Sequence, residues 1–304
     1  PLSGPRPASW WQVRPNGSKL IDMSGATTHT VPPDLLDKPD PADQTAGVAA
    51  AGRQRETHMG FARTLATIAF ILALPVAIIT THVRLLANAP VVYDYSFDRH
   101  DAEDATGLSR ADLNATAHAL RQYFNNSERT FYHTVTEGGL PGPVFNARET
   151  RHMEDVKHLF AWLNRLQELS VVFVLAYVVA FFLWARDGEI RHLATQSLIG
   201  LAFGALAVGA FAAGAALGFD ATSTRFHEVF FSNDFWLLDP NKDHLIQMFP
   251  EEFWRDVTLI FAAMCALEAA LIGAFAGIYL VGTRRERRRV TASIDINASH
   301  TQAA

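Results

Sequence analysis

Four long apolar blocks, residues 61–86, 166–185, 193–219 and 257–281, limit what this chain can fold into. Each approaches or exceeds the ~20 apolar residues that carry a helix across a ~30 Å hydrocarbon core. One such block alone could be the buried helix of a water-soluble protein. Four of them, with few charges inside, predict an all-α, polytopic membrane protein with four transmembrane helices and helical extracytoplasmic loops. The average composition hides this, because 49% hydrophobic and 19% charged residues lie near the values of soluble proteins. The first block begins too late and runs too long for a cleaved signal peptide, so it is expected to be a retained anchor. Pro75 within it removes a backbone donor and should bend the helix.

Basic residues give the orientation. Arg53, Arg55 and Arg63 precede the first block, Arg186 and Arg191 lie between the second and third, and Arg284, Arg285, Arg287, Arg288 and Arg289 follow the fourth. Placing these on the cytoplasmic side puts both termini inside and segments 87–165 and 220–256 outside. Residues 1–57, rich in Pro, Gly, Ala, Ser and Thr, read as a disordered cytoplasmic tail. Residues 58–283 form the four-helix domain, and 284–304 a basic cytoplasmic tail whose arginines suit anionic lipid. A formal net charge of -5, with no basic face, speaks against nucleic acid as a partner. The single cysteine, Cys265, lies inside the fourth block, so it offers neither a disulfide framework nor a thiolate metal site.

The polar residues with chemical potential fall in the two outer segments. In the first, Ser109 can cap a helix over 110–124, where Leu113, Ala117, Leu120 and Phe124 recur at helical spacing. The run 138–143 is a break, and the stretch 148–157 then starts a helix that enters the second span. On it Glu149, His152 and Asp155 share a face, where carboxylates can orient an imidazole and raise its basicity. The second outer segment interleaves aromatics, which suit a headgroup-level belt, with His227, Glu228, Asn233, Asp234, Asp239 and Asp243. Within the third span, the pairs Gly200/Gly204 and Gly214/Gly218 have the spacing that lets helices approach closely in lipid. Glu268 lies mid-way along the fourth span, where an acid costs ~2.5–3.5 kcal/mol and so needs a partner or neutrality.

Two histidines from different outer segments, each near carboxylates, suit acyl transfer by general acid–base catalysis with an oxyanion donor. A metal-dependent membrane hydrolase is an alternative, since Glu149-x-x-His152 has the spacing of di-metal carboxylate bundles, although no second copy occurs. A non-catalytic lipid-binding or assembly subunit is another. The chain lacks a G-x-S-x-G elbow, a phosphate-binding loop and a dinucleotide fingerprint.

The stretches Arg148-Glu149-x-x-His152-Met153-x-Asp155-Val156-Lys157 and Phe226-His227-x-x-Phe230-Phe231-x-Asn233-Asp234-x-Trp236-Leu237-Leu238-x-Pro240, with Asp243-x-Leu245-Ile246-x-Met248-Phe249-Pro250 after them, resemble the bacterial lipoprotein intramolecular transacylases. The resemblance runs over about 61–281 and implies a four-span protein of the bacterial plasma membrane with an outward-facing site. It implies that the sn-2 acyl chain of a diacylglyceryl-modified lipoprotein moves to the N-terminal cysteine amine, giving a lyso-form lipoprotein amid membrane phospholipid. Ester and amine share one molecule, so neither cofactor nor metal is called for. His152 and His227 are the expected catalytic pair, with His152 as base supported by Glu149 and Asp155. Arg148 and Lys157 are expected at the headgroup or oxyanion, and Glu228, Asn233, Asp234, Asp239 and Asp243 in support.

Overall fold

The computed structural model describes the backbone of residues 11–13, 19–22, 28–30, 41–137, 139–184 and 190–302, and the side chains of 60–136, 139–183 and 190–286. The chain divides into two compact units, residues 1–64 and 65–304. The first holds three short antiparallel strands, β1 (Trp11–Val13), β2 (Lys19–Asp22) and β3 (Thr28–Thr30), in the order β1-β2-β3. They fall within the expected disordered tail, the rest of which, up to residue 40, lies outside the described residues. Helix α1 (Pro41–Asn88) begins in this unit and carries the first apolar block.

In the second unit the apolar blocks are four long helices: α1, α5 (Ala147–Trp184), α6 (Ile190–Leu217) and α9 (Glu251–Gln302). Between 6% and 28% of the most apolar window of each is buried against protein. A soluble fold would cover such surface, so here lipid must cover it. The apolar core between the helices is correspondingly thin, with Phe70, Leu74, Ile78, Leu201 and Cys265 at its centre.

Polar contacts tie the spans at several levels. Glu268 of α9 faces His82 of α1, with 3.6 Å between Oε2 and Nε2, so the acid inside the fourth span has the partner that the sequence demanded. Nearer the other end, Tyr177 donates to Gln196 at 2.9 Å and stacks on Phe70 at 4.5 Å. The glycines of α6 permit a closer approach than side chains would. A Cβ on Gly200 would lie 2.7 Å from the Ile71 carbonyl oxygen, and one on Gly204 2.7 Å from Pro75 Cβ. Pro75 therefore nests in a glycine notch.

Both long connections gather at one end of the bundle and fold together as a head. The first contributes α2 (Pro90–Arg99), α3 (Ala102–Thr106), α4 (Arg110–Asn125), β4 (Thr134–Glu137) and β5 (Leu140–Pro143). The second contributes α7 (Phe219–Phe230) and α8 (His244–Met248). Ser109 caps α4 as expected, its Oγ accepting the Asp112 N–H at 3.2 Å. The expected break at 138–143 is more than a break. It is a β4–β5 hairpin, with Thr134 opposite Pro143 and Gly139 at φ +85° in its turn. The head has a core of its own, in which Leu113, Tyr123, Phe145 and Met153 from the first half meet Met248 and Phe249 from the second. Ser96 donates to the Met248 carbonyl at 2.6 Å and Tyr95 to Asp256 at 2.8 Å, joining the halves again.

Gly204→Ala should therefore destabilise the protein by about 1–3 kcal/mol through overpacking against Pro75. Gly209→Ala, where a Cβ meets nothing within 4 Å, should be neutral or slightly stabilising. Thermal unfolding of both variants in detergent checks this, and equal melting temperatures would contradict the notch.

Candidate active site

Helix α5 has 38 residues, about 57 Å at 1.5 Å per residue, well beyond the ~30 Å of hydrocarbon. Its first turns therefore stand in the head, and a set of hydrogen bonds fixes their rotation. Asn146 caps the helix, its Oδ1 accepting the N–H groups of Arg148 at 2.8 Å and Glu149 at 3.1 Å. Glu149 returns the bond through Oε2, which accepts the Asn146 N–H at 2.7 Å, an asparagine form of the capping box. Its other oxygen accepts the Leu245 N–H at 2.7 Å. Asp243 accepts from the Asn146 side chain at 2.7 Å and from the Asp239 N–H at 2.6 Å.

Glu149 is 1% exposed, and its carboxylate is spent on backbone amides of two chain segments. This corrects the expectation that it supports an imidazolium on His152. It stands one turn away on the helix and fastens the second outer segment to the first. Asp243 belongs to the same knot.

His152 and His227 meet. Their ring centres are 5.7 Å apart, with planes inclined at 40°. His152 comes from α5, is 9% exposed and packs edge-on against Phe231 at 5.4 Å. Its Nδ1 is buried without a hydrogen-bond partner among the described residues, a condition that native folds seldom tolerate without a functional reason. His227 comes from α7, where Nδ1 lies 2.7 Å from the Ser223 carbonyl. A carbonyl can only accept, so Nδ1 carries the hydrogen and Nε2 keeps its lone pair. Trp236 stacks on this ring at 4.8 Å and 24°.

The loop after α7 is held by α5. Asn233 donates to the Asp155 carboxylate at 2.8 Å, accepts the Phe235 N–H at 3.1 Å, and offers its carbonyl to Trp236 Nε1 at 2.9 Å. Asp155, one turn from His152, thus reaches His227 through Asn233 and Trp236. Arg148 closes the loop from the same helix. It donates to the Leu237 carbonyl at 3.1 Å and the Asp234 carbonyl at 2.6 Å, and pairs with the Asp234 carboxylate at 3.2 Å. Its guanidinium is occupied as a loop clamp, not free at an oxyanion.

Three other expected residues stand apart. Lys157 turns to Asn126 at 2.8 Å, to the Glu128 carbonyl, and lies 3.9 Å from the Tyr123 ring centre. Glu228 is exposed and paired with Arg225 at 2.8 Å. Asp239 shapes its own turn, accepting from Asn241 at 3.0 Å and pairing with Lys242 at 3.1 Å. The sequence reading missed Asn146, and it missed Trp236 because nothing in its spacing separates it from the belt aromatics around it. Among the described residues no group of three His, Cys, Asp or Glu side chains converges as a metal site requires.

Burial pushes the His227 imidazole below its usual range, while the bond to the Ser223 carbonyl acts the other way. A neutral ring with Nε2 unprotonated is therefore its resting form near pH 7. Nitrogen chemical shifts of histidine-labelled protein should place its protonation midpoint below the ordinary ~6.5, with Nδ1 carrying the proton. A midpoint at or above that value would contradict the geometry.

The family model for the lipoprotein intramolecular transacylase Lit matches residues 68–254. No curated protein matches the chain. Among solved structures, the membrane-integral lipoprotein intramolecular transacylase Lit from Bacillus cereus is similar at a TM-score of 0.63 and 17% identity, over 75% of this chain and 99% of that one. The same transacylase with one histidine changed to arginine aligns at 0.58 and 18%, over 78% and 99%. With a histidine changed to alanine it aligns at 0.58 and 17%, over 76% and 99%. At such identity the structures speak for the fold alone, whereas the family model covers well over half of the sequence. The chain is a member of the lipoprotein intramolecular transacylase family.

Proposed function

We propose that this protein transfers the sn-2 acyl chain of a diacylglyceryl-modified lipoprotein to the amine of its N-terminal cysteine, yielding a lyso-form lipoprotein. The observation that carries the reading is the pairing of His152 and His227 across two chain segments, 5.7 Å between ring centres, at the head end of a lipid-facing bundle. Rings at that separation can each present a nitrogen to one ester. Membership of the transacylase family supplies the reaction class.

The roles follow from which atoms are free. His227 has Nδ1 committed to Ser223, so its Nε2 is the base. It takes a proton from the attacking amine, whose ordinary pKa is ~7.7–8.0, and returns one to the departing glycerol oxygen. A C–N bond forms, the acyl C–O bond breaks, and the proton passes from nitrogen to oxygen by way of the imidazole. His152 donates a hydrogen bond to the oxyanion in between. This exchanges the roles expected from sequence, because the Glu149 carboxylate that was to support His152 as base is occupied elsewhere. Asp155, Asn233 and Trp236 hold the pair in register, and Arg148 with Asp234 holds the loop. Ester and amine arrive in one molecule, so holding them together lowers the barrier without any acyl donor or cofactor.

The head faces outward in this proposal and both termini are cytoplasmic, with membrane phospholipid surrounding the substrate's chains. Arg191 supports that orientation. It binds the Leu280 carbonyl and Thr283 at the end of the bundle away from the head, and Arg284 and Arg285 follow there.

Replacing His227 with Ala should slow lyso-form production roughly 10²–10⁴-fold, and replacing His152 with Ala about 10²–10³-fold. Both variants should still insert in the membrane. Mass spectrometry of a reporter lipoprotein in a host without other N-acylation reads the product, and wild-type yield from either variant would remove that residue from the mechanism.

A further inference from the structure

The helix that carries His227 is unlike the others in the head. None of its 12 residues is fully buried in the protein, yet it bears Phe219, Phe226, Val229 and Phe230. At 100° per residue these four and Thr222 fall on one side, while Asp220, Thr224, Arg225 and Glu228 fall on the other. Val229 is 70% exposed and Phe230 50%, so the head leaves much of both side chains uncovered. On the opposite side Arg225 and Glu228 form an exposed ion pair at 2.8 Å.

The helix also does not prolong α6. A Cβ on Gly214 would lie 2.9 Å from Thr222 Oγ1, whereas residues eight apart on one straight helix are separated by about 12 Å. The chain therefore turns sharply at Gly218, and α7 leaves the axis of α6 at the end of the bundle. Its apolar side adjoins the lipid-facing surface of α6, whose last residue, Leu217, is also exposed.

We propose that α7 is an interfacial helix, with Phe226, Val229 and Phe230 resting among the acyl chains of the adjacent leaflet, about 5–10 Å into the headgroup boundary. His227 projects between the two sides, with Ser223 on one flank and Asp220 on the other. Lying so, the helix holds that imidazole at the depth of the glycerol esters, and a lipid ester reaches it without leaving the membrane. The placement deepens the transacylase reading and depends on it for the meaning of His227, but not for the position of the helix.

Spin labels on Val229→Cys, Phe230→Cys, Arg225→Cys and Glu228→Cys, each in a Cys265→Ala background, test this in phosphatidylcholine–phosphatidylglycerol vesicles. Power saturation with oxygen and a water-soluble nickel chelate reads the surroundings of each label. At 229 and 230 oxygen collisions should dominate, with depths of about 5–10 Å, while at 225 and 228 the chelate should dominate. Chelate-dominated collisions at 229 and 230 would overturn the proposal, as would shielding from both reagents, which marks cover by a protein partner or a second copy. The readout does not need turnover. A helix in lipid within a protein that makes no lyso-form product would defeat the transacylase reading and leave this one standing.

Discussion

The carboxylate of Glu149 is the contact on which the head depends. One oxygen caps its own helix through Asn146 and the other takes the Leu245 N–H from a segment nearly a hundred residues away. A buried carboxylate without such donors would be heavily penalised, so the two segments meet in one register only. Asp243 repeats the link through the Asn146 side chain. With α5 fixed in rotation, His152 must point toward α7 and not into the core of the head, where its neighbour Met153 sits.

From that register the rest follows by short polar links. Asp155 catches Asn233, Asn233 catches Trp236, and Trp236 lies flat on His227. Each partner is a group that would be costly to leave unpaired, so the loop after α7 has little freedom. The proposed chemistry uses what remains unbound, namely Nε2 of one ring and the second ring facing it. A site on rigid helices, with its supporting groups saturated, is what pre-organised electrostatic stabilisation requires.

Much of this was legible in the residues. The four spans follow from long apolar blocks, the close packing of α6 from its Gly200/Gly204 pair, and the cap of α4 from Ser109, whereas a Cβ on Gly218 would meet nothing within 4 Å. The two histidines stood out as imidazoles set among acids in two outer segments. What failed was the finer assignment. Periodicity puts Glu149 and His152 on neighbouring rows of a helix but does not say which row faces the core. The signal that would have settled it was Asn146 three residues before Glu149, an N-terminal cap followed by its acid. Lys157 and Trp236 carried no comparable signal. One was drawn to Tyr123 by tertiary packing, and the other hid among aromatics of the same kind. The β4–β5 hairpin was masked by Pro141 and Pro143, which read as a break yet are tolerated in a two-stranded edge.

If the two imidazoles act on one ester as a unit, their contributions to rate cannot be independent. The most direct measurement is the initial rate of lyso-form production by His152→Ala, His227→Ala and the double variant, in the same membranes at the same pH. The account predicts that the double variant is about as slow as the slower single one. Losses that multiply would mean that the two rings serve separate steps, and the shared site would have to be abandoned.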